Sequence, residues 1–158
     1  MRSHISTLIA AAVLTLAATP VLCADPSPLA GGKALYEKTC ATCHALERSI
    51  AKKADKAGWE GTIKKMVANG AKLDESQSGL ILGYLTAKSA FETKCNTCHD
   101  LQKPLVSIKN PEQWQATVRR MAAMKPGQLT DADAGAIILY LSLVTPVKPA
   151  APAAPAYK

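Results

Sequence analysis

The chain has 158 residues, a formal net charge of +7 and an aromatic content of only 4%. Without an N-terminal targeting segment about 134 residues remain, which suffice for one ordinary domain or two very small ones. The sequence contains no Ser/His/Asp set, no acid–base pair of carboxylates, no glycine-rich phosphate loop and no nucleic-acid-binding motif. It therefore lacks the common patterns of hydrolases, nucleotide-binding enzymes and nucleic-acid-binding proteins.

The first 24 residues follow the pattern of an export signal. A short basic start precedes an apolar run, residues 5–18, which is too short to span a bilayer comfortably. Cys23 and Ala24 provide small residues for cleavage, and the bulky residue before Cys23 disfavours the alternative that this cysteine is lipidated. We predict a signal peptide over residues 1–24 and a mature protein in the periplasm, without stable membrane insertion.

Helix-capping residues divide the first half of the mature chain. A Pro- and Gly-containing leader, residues 25–32, is predicted to be loose. Asp55 is predicted to cap the second helix, which Gly70 ends, and Asp74 with Gln77 is predicted to form the capping box of the third helix. The three predicted helices cover residues 33–42, 56–69 and 75–87.

The first predicted helix leads into Cys40-Ala41-Thr42-Cys43-His44, a pattern typical of covalent haem c attachment. Two intervening residues place both thiols on one helical turn, where they can form thioethers with one porphyrin, and the adjacent histidine can bind its iron. A single Cys-x-x-Cys could instead form a redox disulfide or a zinc site. Neither alternative explains why the motif returns, with the same downstream pattern, as Cys95-Asn96-Thr97-Cys98-His99.

The second half of the mature chain repeats these elements in the same order. Asn110 and Thr130 replace the earlier aspartates as helix caps, and Pro111 fits the first helical position. Almost no linker separates the copies, since one helix is predicted to end near residue 87 and the next to start by residue 89. We predict two tandem modules in a fixed relation, followed by a Pro/Ala-rich extended or disordered tail. The modules are residues 33–88 and 89–144, and the tail is residues 145–158.

The second helix of each copy carries a tryptophan and, two turns later, a methionine on the same face. Met66 lies 22 residues after His44, and Met121 lies at the same distance from His99. A thioether suits low-spin haem iron and raises its reduction potential relative to a second imidazole. We predict Met66 and Met121 as distal ligands; Met124 competes with Met121, and ordinary core packing of the methionines is the alternative.

The histidine count limits the other ligand arrangements. His4 belongs to the predicted signal, so that His44 and His99 are the proximal candidates and no histidine remains for bis-histidine ligation within one chain. Trp59 and Trp114 are predicted to pack against the porphyrin edge, with the indole N–H donating to a propionate, or else to be plain core residues. Lysine ligation is a weaker alternative, through Lys64, Lys65 or Lys125.

Basic side chains recur beside the Trp–Met face. The pairs Lys64/Lys65 and Arg119/Arg120 are predicted to form a solvated face, with contacts to propionates or to an acidic redox partner as the alternative. Weaker candidates for propionate contacts are Arg48 and Lys103.

Each copy resembles a short class I c-type cytochrome domain, with Cys-x-x-Cys-His near the first helix, a Trp…Met helix and a final Tyr-Leu helix. The Tyr-Leu pairs are residues 84–85 and 140–141, and the resemblance spans residues 32–144. More narrowly, the Trp-x6-Met arrangement is similar to small cytochrome domains associated with bacterial dehydrogenases. The resemblance implies an all-α fold of two tandem cytochrome c-like three-helix modules, each wrapped around a covalently bound haem. In many class I cytochromes the methionine lies on a longer loop, whereas here it is predicted on a helix.

The resemblance also implies single-electron transfer with two covalently bound haem c groups. Two six-coordinate irons would leave no open position for a substrate, so we predict a non-enzymatic electron carrier between redox proteins of a respiratory chain. The expected partners are a periplasmic dehydrogenase or a membrane quinol-oxidising complex on one side and a terminal reductase or oxidase on the other. The alternatives are the electron-accepting subunit of a dehydrogenase complex and, with less support, a dihaem peroxidase-like enzyme.

The charge does not point to nucleic acid as a partner. Loss of the signal removes one basic residue and leaves a net charge of +6. Four haem propionates would reduce that charge to about +2 when both irons are reduced.

Overall fold

The computed structural model describes residues 27–147 and is all-helical over that range. The predicted signal peptide with Cys23, and the predicted tail beyond Val147, lie outside the described residues. None of the described helices combines the length and the apolar character needed to cross a bilayer. In the described range the helices are α1 Pro28–Cys40, α2 Glu47–Ile50, α3 Lys56–Ala68, α4 Glu75–Lys94, α5 Gln102–Leu105, α6 Pro111–Met124 and α7 Asp131–Val144.

Local capping sets most of the helix ends, as the sequence predicts. The Asp55 carboxylate accepts a hydrogen bond from the Gly58 N–H at 2.8 Å at the start of α3. Shortly after α3, Gly70 adopts a φ of +104°, a left-handed conformation that glycine reaches without strain. The helices α4, α6 and α7 each begin with a capping box, formed by Asp74 with Gln77, Asn110 with Gln113 and Thr130 with Asp133.

The first helix begins earlier than predicted. The Ser27 hydroxyl accepts a hydrogen bond from the Ala30 N–H at 3.3 Å, and Pro28 lies at the first helical position of α1. Residues 28–32, predicted as a loose leader, are therefore helical. Glycine at residues 31 and 32 disfavours a helix on propensity alone, but Gly32 is buried where α1 packs against α4 and the packing overrides that preference.

Replacement of Gly32 by alanine should strongly destabilise the fold. A Cβ at this position would lie 2.1 Å from the carbonyl oxygen of Leu80, a backbone atom of α4. We expect Gly32→Ala to lower the free energy of unfolding by about 3 kcal/mol, as overpacking of a rigid contact does, in urea denaturation of the holoprotein. Gly31→Ala is the matched control, because its Cβ would only reach the Leu80 side chain at 3.9 Å and alanine should stabilise the helix by up to about 1 kcal/mol. Equal losses in the two variants would contradict this close contact.

The helix α4 runs through the predicted boundary between the modules, which corrects the prediction of separate helices ending near residue 87 and starting by residue 89. The segment from Tyr84 to Lys94 contains neither proline nor glycine, so that no local signal ends the helix. The last helix of the first module and the first helix of the second are therefore one continuous element. The short helices α2 and α5, also not predicted, each follow an attachment motif.

The core is built from residues at equivalent positions of the two copies. The helix α1 packs on α4, α4 packs on α7, and α7 also packs on α6. The buried equivalent pairs are Tyr36 with Phe91, Trp59 with Trp114, Ile63 with Val118, Ile81 with Ile137, Tyr84 with Tyr140 and Leu85 with Leu141. The duplicated sequence pattern is therefore also a duplicated core.

The second module extends slightly into the predicted tail. Thr145 is buried, and its hydroxyl donates a hydrogen bond to the Leu141 carbonyl at 2.6 Å. The carbonyl of Pro146 accepts a hydrogen bond from the Lys109 N–H at 3.3 Å. Thr145 and Pro146 are thus part of the fold, and the prediction that the tail starts at residue 145 is corrected.

Candidate haem sites

The predicted site residues of the first module line one cavity of about 760 Å³, formed by α1, α3, α4 and the segment after α1. Its wall includes Cys40, Cys43, His44, Trp59 and Met66. The volume lies within the range of about 300–1,000 Å³ that is usual for small-molecule and cofactor sites, and most of the exposed wall is apolar. Two thiols, an imidazole and a thioether around an apolar cavity are groups that can attach a haem c and bind its iron.

Both attachment motifs lie at the C-terminal end of a helix. Cys40 is the last residue of α1, and Cys95 directly follows α4 as its C-cap. In each motif the first cysteine is half-buried and the second, Cys43 or Cys98, is exposed; all four are free thiols. Among residues 27–147, no three His, Cys, Asp or Glu side chains form a cluster that could hold a metal ion. Each cavity is thus lined by one half-buried and one exposed thiol.

The two thiols of the second motif differ in acidity. Burial, with a smaller contribution from the Cys98 charge, raises the pKa of Cys95 to about 11. A hydrogen bond with Thr97, supported by the charge of Lys125, lowers the pKa of Cys98. In the first motif, burial raises the pKa of Cys40. The exposed thiol Cys98 is therefore the more readily ionised member of its pair.

The two motif histidines have the same local hydrogen-bond geometry. The Nδ1 of His44 lies 3.2 Å from the Ala45 carbonyl oxygen, and the Nδ1 of His99 lies 3.0 Å from the Asp100 carbonyl oxygen. An imidazole that donates its Nδ1–H to a carbonyl keeps the lone pair of Nε2 free for a metal. Both histidines line their cavities, so this tautomer suits them for iron binding.

The second cavity is smaller, at about 260 Å³, although the predicted site residues line it in the same way. Its wall includes Cys95, Cys98, His99, Trp114 and Met121. Its wall also includes residues from the end of α6 and the loop that follows, which are Met124, Lys125 and Gln128. The two sites therefore share their donor groups but differ in the space around them.

Both methionines of α6 line the second cavity, so the structure leaves two distal candidates there. Met121 is 37% exposed and Met124 is 66% exposed, and only Met121 is equivalent to Met66 by the repeat. Met121 remains the predicted ligand and Met124 the alternative. Of the lysine alternatives, Lys65 and Lys125 line a cavity, whereas Lys64 does not and forms an ion pair with Glu60.

Both tryptophans are buried, and each lines one of the cavities. The Trp59 indole N–H donates to the Ser89 hydroxyl at 2.7 Å, and the Trp114 indole N–H donates to the Thr145 hydroxyl at 2.9 Å. Each indole has only one N–H, and it is used within the fold. The prediction that the indoles donate to propionates is therefore corrected, whereas packing against a porphyrin stays a prediction.

These indole hydrogen bonds should contribute measurably to stability. In Ser89→Ala the Trp59 N–H would stay buried without a partner, which should lower the free energy of unfolding by about 1–3 kcal/mol. Urea denaturation of the holoprotein measures the loss, and Thr145→Val should have a similar effect in the second module. Ser76→Ala is the control, because Ser76 is exposed on the same helix, and it should change stability by less than about 0.5 kcal/mol. A null effect of Ser89→Ala would mean that the indole finds another acceptor.

Two lysines that the sequence does not single out lie over the tryptophan rings. The Nζ of Lys52 is 5.3 Å from the Trp59 ring centroid, and that of Lys109 is 5.6 Å from the Trp114 centroid, in cation–π geometry. The two lysines are not at equivalent positions of the repeat, which is why comparison of the copies gives no signal for them. Lys52 also lines the first cavity.

The predicted basic residues divide unequally between the cavities. Arg48 and Lys65 line the first cavity, together with Lys52. The corresponding candidates of the second half are exposed and do not line the second cavity; they are Lys103, Arg119 and Arg120. The first cavity thus has cationic side chains suited to propionates, and the Arg119/Arg120 pair lies on a solvated face.

Comparison with known protein families finds a match in two segments of the chain. A family model described as cytochrome c oxidase, cbb3-type, subunit III matches residues 27–78 and residues 84–141. Each part contains one Cys-x-x-Cys-His motif and one Trp–Met helix, and the interval between the parts lies within α4. No curated protein sequence and no solved structure matches the chain significantly. The two matched parts together cover more than half of the chain, and each contains most of one copy.

Proposed function

The chain belongs to the c-type cytochrome family described as cytochrome c oxidase, cbb3-type, subunit III, and we propose that it is a periplasmic dihaem electron carrier. Haem electron transfer is the role that the family match gives to the chain. The proposal adds the number of haems, their ligands, the export of the protein and its place in a respiratory chain.

The single observation that carries the proposal is the repetition of one complete donor set around each cavity. Each cavity is lined by both thiols of an attachment motif, by the histidine that follows them and by a methionine of the Trp–Met helix. A haem, when bound, supplies an iron that takes up or gives up one electron. In our proposal the cysteines would hold each porphyrin by thioethers, and the iron ligands would be His44 with Met66 in the first site and His99 with Met121 in the second.

This ligand set favours electron transfer over catalysis. An iron that binds both a histidine and a methionine of this chain would have no free position for a substrate. The apolar walls of the cavity would limit the access of water to a bound porphyrin, and a thioether ligand would raise its reduction potential. The side chains Arg48, Lys52 and Lys65 would neutralise the propionates of the first haem.

The proposed setting follows from the export signal predicted for residues 1–24. The donors would be a periplasmic dehydrogenase or a membrane quinol-oxidising complex, and the acceptor would be a terminal reductase or oxidase. Permanent association with a dehydrogenase, as its electron-accepting subunit, is the second form of the same proposal. The Trp-x6-Met arrangement of both copies supports it, through its similarity to dehydrogenase-associated cytochrome domains.

The first experiment is the ferric visible spectrum of the purified holoprotein, with the haem content determined as pyridine haemochrome. We expect two haems per chain and a sulfur-to-iron charge-transfer band of full strength for both. A band of half strength, or a high-spin signature, would mean that one iron is open or has a different ligand. That result would overturn the proposal of pure electron transfer and favour a peroxidase-like enzyme.

A further inference from the structure

Four buried aromatic rings form one row through the core of the molecule. The ring centroids of Tyr36 and Tyr84 are 5.6 Å apart, those of Tyr84 and Tyr140 are 6.2 Å apart, and those of Tyr140 and Phe91 are 5.3 Å apart. All three separations lie within the 4.5–7 Å range of interacting aromatic pairs. We call Tyr36, Tyr84, Tyr140 and Phe91 the aromatic row.

The aromatic row begins at one cavity and ends at the other. Tyr36 lines the first cavity and Phe91 lines the second. Tyr84 and Tyr140 lie between them and are themselves equivalent residues of the repeat, as are Tyr36 and Phe91. The contact between Tyr84 and Tyr140 therefore joins the two modules. The contacts on either side of it, one within each module, are equivalent by the repeat.

The surrounding structure fixes the two modules against each other at this row. Tyr84 and Phe91 are on the continuous helix α4, on either side of the predicted module boundary. Glu92, also on α4, forms ion pairs with Lys53 of the first module and with Lys88. A partly buried carboxylate held by two lysines restrains the segment more effectively than an exposed pair.

The tyrosine hydroxyls keep their protons over the ordinary pH range. Burial, together with the nearby Glu92 charge, raises the pKa of Tyr140 to about 12, and burial is the main cause that raises the pKa of Tyr84. The Tyr36 hydroxyl is hydrogen-bonded to the Ser49 hydroxyl at 2.6 Å. The row is therefore a set of neutral, closely packed rings.

We propose that the aromatic row couples the two haem sites, so that an electron that enters at one site passes to the other within the same molecule. This inference rests on the proposed function, because it requires a haem in each cavity. One electron leaves the ferrous iron of one site, which becomes ferric, and reduces the ferric iron of the other. No proton moves and no ring is oxidised; the four residues are positioning residues that leave no gap between the sites.

Exchange NMR of the half-reduced holoprotein tests the proposal. The paramagnetically shifted haem methyl signals distinguish molecules reduced at one site from molecules reduced at the other, and their exchange rate has an intramolecular part that does not depend on protein concentration. We expect a fast intramolecular rate in the native protein. A native protein whose exchange vanishes on dilution would overturn the inference without any variant.

Substitutions at the centre of the row identify its role. Tyr84→Leu removes the ring contact between Tyr84 and Tyr140 and should lower the intramolecular rate severalfold. Tyr84→Phe keeps the ring and should retain the native rate. Tyr140→Leu should repeat the loss, and it replaces Tyr84→Leu if that variant does not fold. Ile137→Ala is the control for general loosening, because Ile137 is fully buried on α7 but is not in the row.

Three outcomes would overturn the inference. The first is a folded Tyr84→Leu variant that keeps the native intramolecular rate. The second and third are a Tyr84→Phe or an Ile137→Ala variant whose rate falls as much as that of Tyr84→Leu. Failure of the proposed function is distinguishable, because it would appear in the native protein as fewer than two haems or a weak sulfur band. A protein with two six-coordinate haems and an unaffected rate would refute the aromatic row alone.

Discussion

The double substitution Cys40→Ser/Cys43→Ser should halve the covalent haem content, from two haems per chain to one. Serine cannot form a thioether, and His44 with Met66 alone would hold a haem only by reversible coordination. Cys95→Ser/Cys98→Ser should have the same effect on haem content through the second site. Pyridine haemochrome after denaturing extraction of unattached haem measures the result.

Both variants should have a lower melting temperature than the native protein. Each would lose one covalently held haem, and a cavity left unfilled in the core destabilises a fold. The matched control is a serine substitution of one exposed residue between the two cysteines of each motif, Thr42→Ser and Thr97→Ser, which should retain both haems.

A contrary haem count would be informative. Two covalent haems in Cys40→Ser/Cys43→Ser would mean that the first motif is not an attachment site. No haem in either variant would mean that the two modules mature together, and that each site needs the other to be filled.

Features set by a few neighbouring residues could be predicted from the sequence. The capping boxes at Asp74, Asn110 and Thr130 depend only on residues three positions apart, and the structure forms all three. The two cavities also follow from local pattern, because the Cys-x-x-Cys-His motif and the Trp–Met helix each present their groups to one side. Because the attachment motif and the Trp–Met helix both occur twice at the same spacing, they indicate a haem site more strongly than a single copy would.

Features that depend on how distant segments pack could not be predicted in this way. From the sequence alone, Gly32 predicts a break in the helix, whereas in the structure it allows α4 to pack closely against α1. The helix α4 is continuous because no proline or glycine ends it near residue 88, and a missing stop signal is weaker sequence evidence than a stop signal that is present. The sequence places the indole partners Ser89 and Thr145 in the second module and in the tail, although each hydrogen-bonds to a tryptophan in the core of the module before it.

The contact between Tyr84 and Tyr140 is the clearest example of this limit. The repeat identifies the two residues as equivalent and apolar periodicity places both in a core. Whether equivalent residues of two copies touch depends on how the modules face each other, and no local pattern contains that information. The continuous helix α4 fixes that orientation, and with it the aromatic row.

Met66→His should lower the reduction potential of one haem and remove half of the sulfur-to-iron band. Imidazole replaces the thioether as distal ligand, and Met/His ligation gives a higher potential than a second histidine. The expected shift is on the order of 0.1 V, a modest part of the roughly 0.8 V over which axial ligands set haem potentials. Spectroelectrochemical titration measures both the potential and the band. Met121→His should have the same effect on the second haem.

The comparison of Met121 with Met124 decides the second ligand. Met124→Leu is the matched control, since Met124 also lines the second cavity but is more exposed and lacks an equivalent in the first copy. It should leave both potentials and the full band unchanged. If Met124→Leu removes half of the band and Met121→His does not, Met124 is the ligand and the repeat does not extend to the distal side. If neither Met121→His nor Met124→Leu changes the sulfur-to-iron band, Lys125, which lines the same cavity, becomes the next candidate for the distal ligand.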